Sequence, residues 1–501
     1  MKKRILLFAL LVSALLLLAG CGEQIEERAM ADISALAYSA EVTAPETDEY
    51  ASSQEYVTLY FFAEDGVTLS PVVREITLPG GVSRGEAALC ALLDGPQEGE
   101  KGVSWPEVVS RNTVRRIEIS GHIATVDLPA RVRELPQEQI FALRQAVTNT
   151  LSEFTEISYV NVLVGGREEG LDLGATLPAG TLTRVNDPDM GDMYTRLISQ
   201  RQQAAGITAL TTLYFPSEDG RHLLPQVRTV TYGGIAPIEY LYQLLDELGR
   251  GSGRGAGVPA PMEYITEMPE IVRTEDGAFR AIEIMFDAAL DTALAQAGLT
   301  RSVYLAMLTD TLMGFVPGVE GLQVSIGGKM VTSLGADETP DGEEIVFQQA
   351  IATRADFSGY AGAPVTIYVR SEDGNRLERT EYIVPQSRRL DLRTRLESMM
   401  TFSQETERFA LPSGLTAQDV LAVRADSKEI CVNLSENFAA RMRTLSPREE
   451  RTAVYAMVNT LTEGYEAQRV RFFFDGQQPQ TLSGGLDMRG AFTRNPGMVV
   501  D

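Results

Sequence analysis

Apolar side chains recur at every second position along three short stretches of this 501-residue chain. The first carries Val160, Val162 and Val164, the second Leu322, Val324 and Ile326, and the third Val470, Phe472 and Phe474. Such alternation puts one face of an extended segment on a core, so each stretch predicts a half-buried strand. Upstream of the first, apolar residues recur at intervals of three or four, at Ile140, Leu143, Val147, Leu151 and Phe154. That spacing predicts an amphipathic helix with one core-facing stripe. A third pattern opens the chain, where Ile5 to Leu18 is apolar but for Ser13.

The strand and helix patterns belong to a repeat. The tripeptide Glu-Asp-Gly occurs at residues 64–66, 218–220 and 372–374, so that the copies stand 154 residues apart. A similar strand precedes each one: Val57-Thr58-Leu59-Tyr60, Thr211-Thr212-Leu213-Tyr214 and Val365-Thr366-Ile367-Tyr368. A leucine follows each one, at Leu69, Leu223 and Leu377. A β-branched strand, an Asp-Gly turn and a second extended run predict a hairpin. The later helix recurs as well, marked by Asn149-Thr150-Leu151, Asp310-Thr311-Leu312 and Asn459-Thr460-Leu461, and each alternating strand ends at Gly165-Gly166, Gly327-Gly328 or Asp475-Gly476.

Between these halves each copy carries a first helix, near Glu86–Leu93, Ile238–Leu248 and Leu392–Met400, and then another hairpin. Its second strand holds Ala124, Val126 and Leu128 in copy one and Ile430, Val432 and Leu434 in copy three. Copy two turns at Asp276-Gly277 and continues through Ile282, Ile284 and Phe286. The expected fold is α+β: three tandem β-β-α-β-β-α-β domains, each a sheet with two helices packed on it. Each copy is long enough to bury its own core. The expected division is a signal peptide at 1–20, an acidic tether at 21–54, domains at 55–175, 209–336 and 363–490, linkers at 176–208 and 337–362, and a tail at 491–501.

The opening segment is an address. Lys2, Lys3 and Arg4, the apolar run and Leu18-Ala19-Gly20-Cys21 have the layout of a charged n-region, an h-region and a small-residue cleavage site. The run is too short to span a bilayer stably. Leu-Ala-Gly-Cys resembles a bacterial lipobox, which implies a diacylglycerol on the Cys21 thiol and Cys21 as the first mature residue. A plain secretory signal and an uncleaved anchor are the alternatives. Residues 22–54 are rich in Ala, Ser, Thr and Glu and read as a tether, with one short helix possible over Arg28–Tyr38.

The repeated residues resemble the GerMN domain of lipoproteins linked to sporulation and spore germination. The resemblance lies in the Leu-Tyr-Phe strand with its Glu-Asp-Gly turn, the helix end at Ala87–Pro96, Ala124-Thr125-Val126-Asp127-Leu128, and the Asn-Thr-Leu helix before the Val-Gly-Gly strand. Copies two and three lack the Gly-Pro after the first helix, copy two adds a glycine loop, and copy three lacks the proline equivalent to Pro71 and Pro225. The resemblance implies a fold related to ring-building modules, which pack on other copies or partners outside the cytoplasmic membrane, and it carries over no catalytic residues.

Composition narrows the chemistry. The net charge is −25, and removal of Lys2, Lys3 and Arg4 leaves 41 basic against 69 acidic side chains, a charge of −28. So acidic a surface repels nucleic acid, whose binding draws on Lys and Arg. Two histidines and three cysteines leave little material for zinc or a disulfide framework. Cys90, in an apolar helical run, and Cys431, in an alternating strand, read as small buried or half-buried hydrophobes.

Four features invite sharper readings. Gly81-Val82-Ser83-Arg84-Gly85 matches G-x-S-x-G, but the only histidines are His122 and His222, and Ser83 with Glu86 also makes a helix capping box. The glycine run at 249–257 could cradle phosphate, yet it follows a helix and fits neither phosphate-loop pattern, so it reads as a loop. Asp187, Asp189 and Asp192 could gather calcium, but Gly191 breaks the EF-hand pattern, so they read as a solvated linker. The Glu-Asp-Gly repeats are explained by turn chemistry. Trp105, the only tryptophan, is either a core plug or an exposed contact.

The expected function is that of a lipid-anchored, extracytoplasmic, non-enzymatic assembly protein of a cell-envelope complex in sporulation or germination. It needs no cofactor or metal, and its expected partners are an envelope complex, the membrane through Cys21 and further copies of its own domains. The alternative is a lipoprotein that captures a solute or wall glycan between its domains.

Overall fold

The computed structural model describes residues 42–106, 108–109, 116–171, 177–253, 257–273, 280–372, 374, 376–406, 408 and 410–500. Cys21, the apolar run, Arg28–Tyr38, Asp276-Gly277 and Asp373 lie outside them.

One order of elements occurs three times. A two-residue strand β1 (Glu49–Tyr50) comes first. Unit one then has the hairpin β2 (Ser53–Phe62) and β3 (Leu69–Leu78), helix α1 (Arg84–Leu93), strands β4 (Arg116–Ser120) and β5 (Ile123–Leu128), helix α2 (Gln137–Leu151) and β6 (Tyr159–Val164). Helix α3 (Met190–Gln203) leads to unit two, which has β7 (Ile207–Pro216), β8 (Leu223–Tyr232), α4 (Pro237–Gly249), β9 (Ile265–Arg273), β10 (Arg280–Phe286), α5 (Ala289–Gln296), α6 (Arg301–Met313), β11 (Gly321–Ile326) and β12 (Lys329–Met330). The pair β13 (Ser333–Leu334) and β14 (Ile345–Val346) precedes unit three. That unit has β15 (Gly362–Arg370), β16 (Leu377–Pro385), α7 (Leu392–Glu405), β17 (Val420–Ala425), β18 (Ile430–Leu434), α8 (Glu436–Met442), α9 (Pro447–Thr462), β19 (Arg469–Phe474) and β20 (Phe492–Thr493).

The class is α+β, but each unit's strands divide between two sheets. The first hairpin stands alone in every unit, as β2-β3, β7-β8 and β15-β16. The other strands form a second sheet, in which an antiparallel pair is joined by a parallel neighbour across a helical crossover: β4-β5-β6, β9-β10-β11 and β17-β18-β19. Helix and both sheets share one core per unit.

The Asn/Asp-Thr-Leu motif is what ties hairpin to helix. Thr150 Oγ1 accepts the backbone N–H of Tyr60 at 3.2 Å, Thr311 that of Tyr214 at 3.0 Å, and Thr460 that of Tyr368 at 2.9 Å. The residue before each threonine fastens the chain that follows the last strand. Asn149 brackets Val185, donating to its carbonyl and accepting its N–H, Asn459 accepts from Asn495 N, and Asp310 holds Arg354. These bonds are buried or half-buried, where an unmatched backbone donor is costly.

Four segments expected to lie outside the domains are built into the fold, one of them the linker at 337–362, which carries β14 and puts Phe347, Phe357 and Tyr360 into the core of unit two. Residues 42–50 of the expected tether lie on unit three, with Pro45 buried and β1 paired in parallel with β17. The expected linker at 176–208 contains α3, whose Met190 and Tyr194 enter the core of unit one. The expected tail supplies β20 and a backbone bond from Val500 to Leu377. In the tether and the tail the apolar residues are too sparse to make a periodic signal, whereas α3 carries Met190, Met193, Tyr194, Leu197 and Ile198 at helical spacing, a stripe that the linker reading passes over. Cys90 is exposed and Cys431 buried, and neither is joined in a disulfide. Cys90 therefore departs from the expected buried position, because it falls on the outer side of α1. Trp105 is a core plug: its Nε1 donates to Leu92 O and its ring meets Phe62 edge-on at 4.5 Å.

Candidate functional site

The outer face of the first hairpin does the visible recognition work between units. Leu213 and Phe215 point inward from β7, so Leu210, Thr212 and Tyr214 share the opposite side. In unit two that side docks on the second sheet of unit one. The Tyr214 hydroxyl is 3.0 Å from Thr125 Oγ1 of β5, Thr181 Oγ1 is 2.7 Å from Thr212 Oγ1, and Thr181 N donates to Leu210 O at 3.0 Å. Arg354 closes the back of this contact. Its guanidinium sits 5.2 Å from the Tyr214 ring centre and 3.2 Å from Asp310 Oδ1. Full burial opposes the charge, but the Asp310 carboxylate more than compensates, and Arg354 stays firmly protonated.

The same node recurs, half-open, in units one and three. Tyr60 donates to Glu153 Oε1 at 2.7 Å, and Arg184 bonds both partners. Tyr368 donates to Glu463 Oε2 at 3.0 Å beneath Arg494. Partial burial, and then the hydrogen bond to a carboxylate, raises the pKa of each phenol. In unit two Gly314 stands where Glu153 and Glu463 stand in the others, and Asp310 supplies the carboxylate from one turn earlier.

On unit one the part of this outer face around Tyr56 is open among the described residues. Tyr56 is 70% exposed and Val73 68%. Tyr56 pairs with Glu75 and Thr58 with Val73 in the hairpin register, so the two exposed side chains are diagonal neighbours on one face.

The residues singled out from sequence do not converge on a reaction centre. Ser83 caps α1: its Oγ accepts Glu86 N at 3.1 Å, and Glu86 Oε2 accepts Ser83 N at 2.9 Å. His122 bonds the Glu156 carbonyl, and His222 lies beside Asp219. Ser83→Ala is therefore expected to cost about 1 kcal/mol in a denaturant titration, and a fluorophosphonate is expected to leave Ser83 unlabelled in the unaltered chain. Labelling at Ser83 would contradict the capping role. Asp189 caps α3 through Asp192 N at 2.9 Å, and Arg196 pairs with Asp187 and Asp192. Among the described residues no group of three His, Cys, Asp or Glu is placed to hold a metal. In the glycine run, of which 254–256 lie outside the description, the Gly251 and Ser252 carbonyls accept from Arg228 and Gln226, so carbonyls face the neighbouring strand there. Gly66 and Gly220 take φ of +73° and +67°, and Asp65 and Asp219 accept backbone N–H groups within their turns. No helix among the described residues is long and apolar enough to cross a membrane.

The described residues thus hold three repeated α+β units, the second docked on the first through its hairpin face. Residues 58–170 and 366–480 match the Germane profile, described as sporulation and spore germination. The profile covers units one and three. Among solved structures, the tandem GerMN domains of the sporulation protein GerM from Bacillus subtilis align over 57% of this chain and 98% of theirs, at 15% identity and a TM-score of 0.21. The first GerMN domain of that protein aligns over 27% and 98%, at 16% identity and a TM-score of 0.20. A putative lipoprotein from Clostridium perfringens aligns over 23% and 75%, at 18% identity and a TM-score of 0.14. No curated protein matches the chain.

Proposed function

We propose that the chain is a lipid-anchored, extracytoplasmic, non-enzymatic assembly protein of a cell-envelope complex acting in sporulation or spore germination. One observation carries this reading: the face that unit two uses to dock on unit one is left open on unit one, where Tyr56 and Val73 are the two most exposed large apolar side chains of the described residues. An exposed aromatic beside an aliphatic on a rigid hairpin suits protein contact. Unit two, outside the family match, acts in this reading as a third domain of the same kind, with its hairpin face already occupied. The lipobox-like Leu18–Cys21 supports an anchor at the outer side of the membrane.

A photo-crosslinking residue at position 56, in cells making the protein, tests the proposal. Reproducible adducts, either to a second copy or to another envelope protein, are expected, and Val73→Asp is expected to remove them. Cys21→Ser is expected to move the chain from the membrane fraction to the soluble fraction and to weaken the adducts. Recovery of uncrosslinked chain alone would sink the assembly reading.

A further inference from the structure

A cavity of about 600 Å³ lies in the cleft between units one and two, within the size range of small-ligand sites. Gly165 and Gly166, with φ of +60° and +79°, form part of its wall. A Cβ on Gly165 would come within 2.9 Å of both Ala130 and the Arg133 guanidinium. The glycine pair thus lets backbone approach where a side chain would fill the space.

Three guanidiniums line this cleft, from Arg133, Arg167 and Arg354, in a chain whose net charge is −25. Arg354 is committed to Asp310. Arg133 reaches Glu169 at 2.8 Å, and Arg167 pairs with Glu320. Arg133 also donates to Val164 O, whereas Arg167 is not saturated. Arg167 Nε is buried without an acceptor. Burial first, and then repulsion from Arg133, holds the Arg167 pKa below its usual value. An anion between two like charges relieves that repulsion. The opposite wall is strained: Gln349 and Ala350 are consecutive non-glycine residues at φ of 53° and 57°. Left-handed non-glycine residues persist where surroundings over-determine them, and they concentrate at ligand sites.

We propose that this cleft binds a carboxylate, gripped by Arg133 and Arg167, with the Gln349 amide and the Thr353 hydroxyl serving neighbouring polar atoms of the ligand. The guanidinium fork fits a planar carboxylate. Glu320 and Asp356 also line the cavity, so a doubly charged phosphate meets two like charges there. A site of this kind operates whether or not the chain assembles, and calorimetry reads it without a partner.

The test is isothermal titration calorimetry of the detergent-solubilised full chain with N-acetylalanine, its neutral amide N-acetylalaninamide, and inorganic phosphate. Saturable binding of the acid is expected, with the amide and phosphate each weaker by at least about tenfold. Arg167→Gln is expected to weaken the acid by a similar factor. Gln349→Gly relieves the positive φ, so it is expected to raise the unfolding temperature while weakening the acid, an outcome that a folding defect cannot mimic. Equal or absent responses to acid and amide, tighter binding of phosphate, or an affinity for the acid unchanged in both variants would overturn the assignment.

Discussion

Arg144→Met is expected to destabilise unit one by about 3–5 kcal/mol, because it strands a buried charge. The Arg144 and Glu168 side chains are 1% and 0% exposed, with Nη2 3.0 Å from Oε1. Arg144 also donates to Glu169 O at 2.7 Å, and Glu168 accepts Ala179 N at 2.9 Å. Burial already pushes the Glu168 carboxyl up from its ordinary value, with Arg144 the chief opposing influence. Without Arg144 only the Ala179 N–H still opposes the upward push. The folded carboxyl then binds its proton more tightly than the unfolded one. The variant's deficit is therefore largest above the folded pKa and shrinks as pH falls through that value toward the unfolded one. Denaturant titrations at a series of falling pH values measure this directly. The double variant Arg144→Met with Glu168→Leu is expected to recover most of the loss, since an apolar pair leaves no charge behind. A deficit below about 1 kcal/mol, or one indifferent to pH, would mean that Glu168 is not held by charge pairing.

The contrast between what the residues announced and what they concealed has a physical cause. Alternation and helical spacing report which face of a segment is buried, and that is a local property. Val160, Val162 and Val164 accordingly share one face of β6, and Ile140, Leu143 and Val147 one stripe of α2, but the other sides are covered as well: Asn161 and Leu163 and every residue of α2 from Ile140 to Leu151 are buried, so neither element is half-exposed as its pattern predicts. The repeated Asn/Asp-Thr-Leu was visible as a recurrence, but its purpose depends on a hairpin about ninety residues earlier in the chain, which no local pattern encodes. The second role of the hairpin face was concealed for the same reason. Tyr60, Tyr214 and Tyr368 look equivalent in sequence, yet only Tyr214 meets Thr125. The division into two sheets escaped because alternation shows that a strand has a buried side and not which neighbour it pairs with. The arginines of the cleft gave a weak signal at best: Arg133 and Arg167 flank ordinary turns, and Arg354 falls in a stretch that reads as linker. Only the positions of the units bring them together.

The strap formed by residues 42–50 carries the second large expectation. Its strand β1 lies against β17, the otherwise open edge of the sheet in unit three. Asp48 accepts the backbone N–H of Val423 at 2.8 Å and grips Arg393 with both oxygens, at 2.6 and 2.9 Å. Tyr50 donates to Asp391 at 2.7 Å, Asn433 donates to Pro45 O, and Arg424, beside the Cys431 sulfur, donates to Thr43 O. Cys431, on the same side of β18 as Asn433, is only 4% exposed, and burial and then Glu429 raise its thiol pKa, so it alkylates slowly while the strap is closed. Deleting residues 42–50 in a Cys90→Ser background is expected to speed alkylation of Cys431 by at least about tenfold, the equivalent of about 1.4 kcal/mol of lost local protection. Asp48→Ala, which removes the Arg393 clamp and the acceptor for Val423 together, is expected to give a smaller increase in the same direction. Mass spectrometry of iodoacetamide-treated protein measures both. An unchanged rate at Cys431 in the deletion would mean that unit three closes its own sheet and that the strap lies on it as a passenger. Faster alkylation would instead show that the segment leading from the expected membrane anchor is a structural part of the last unit, so that a pull on the anchor is felt first at β17.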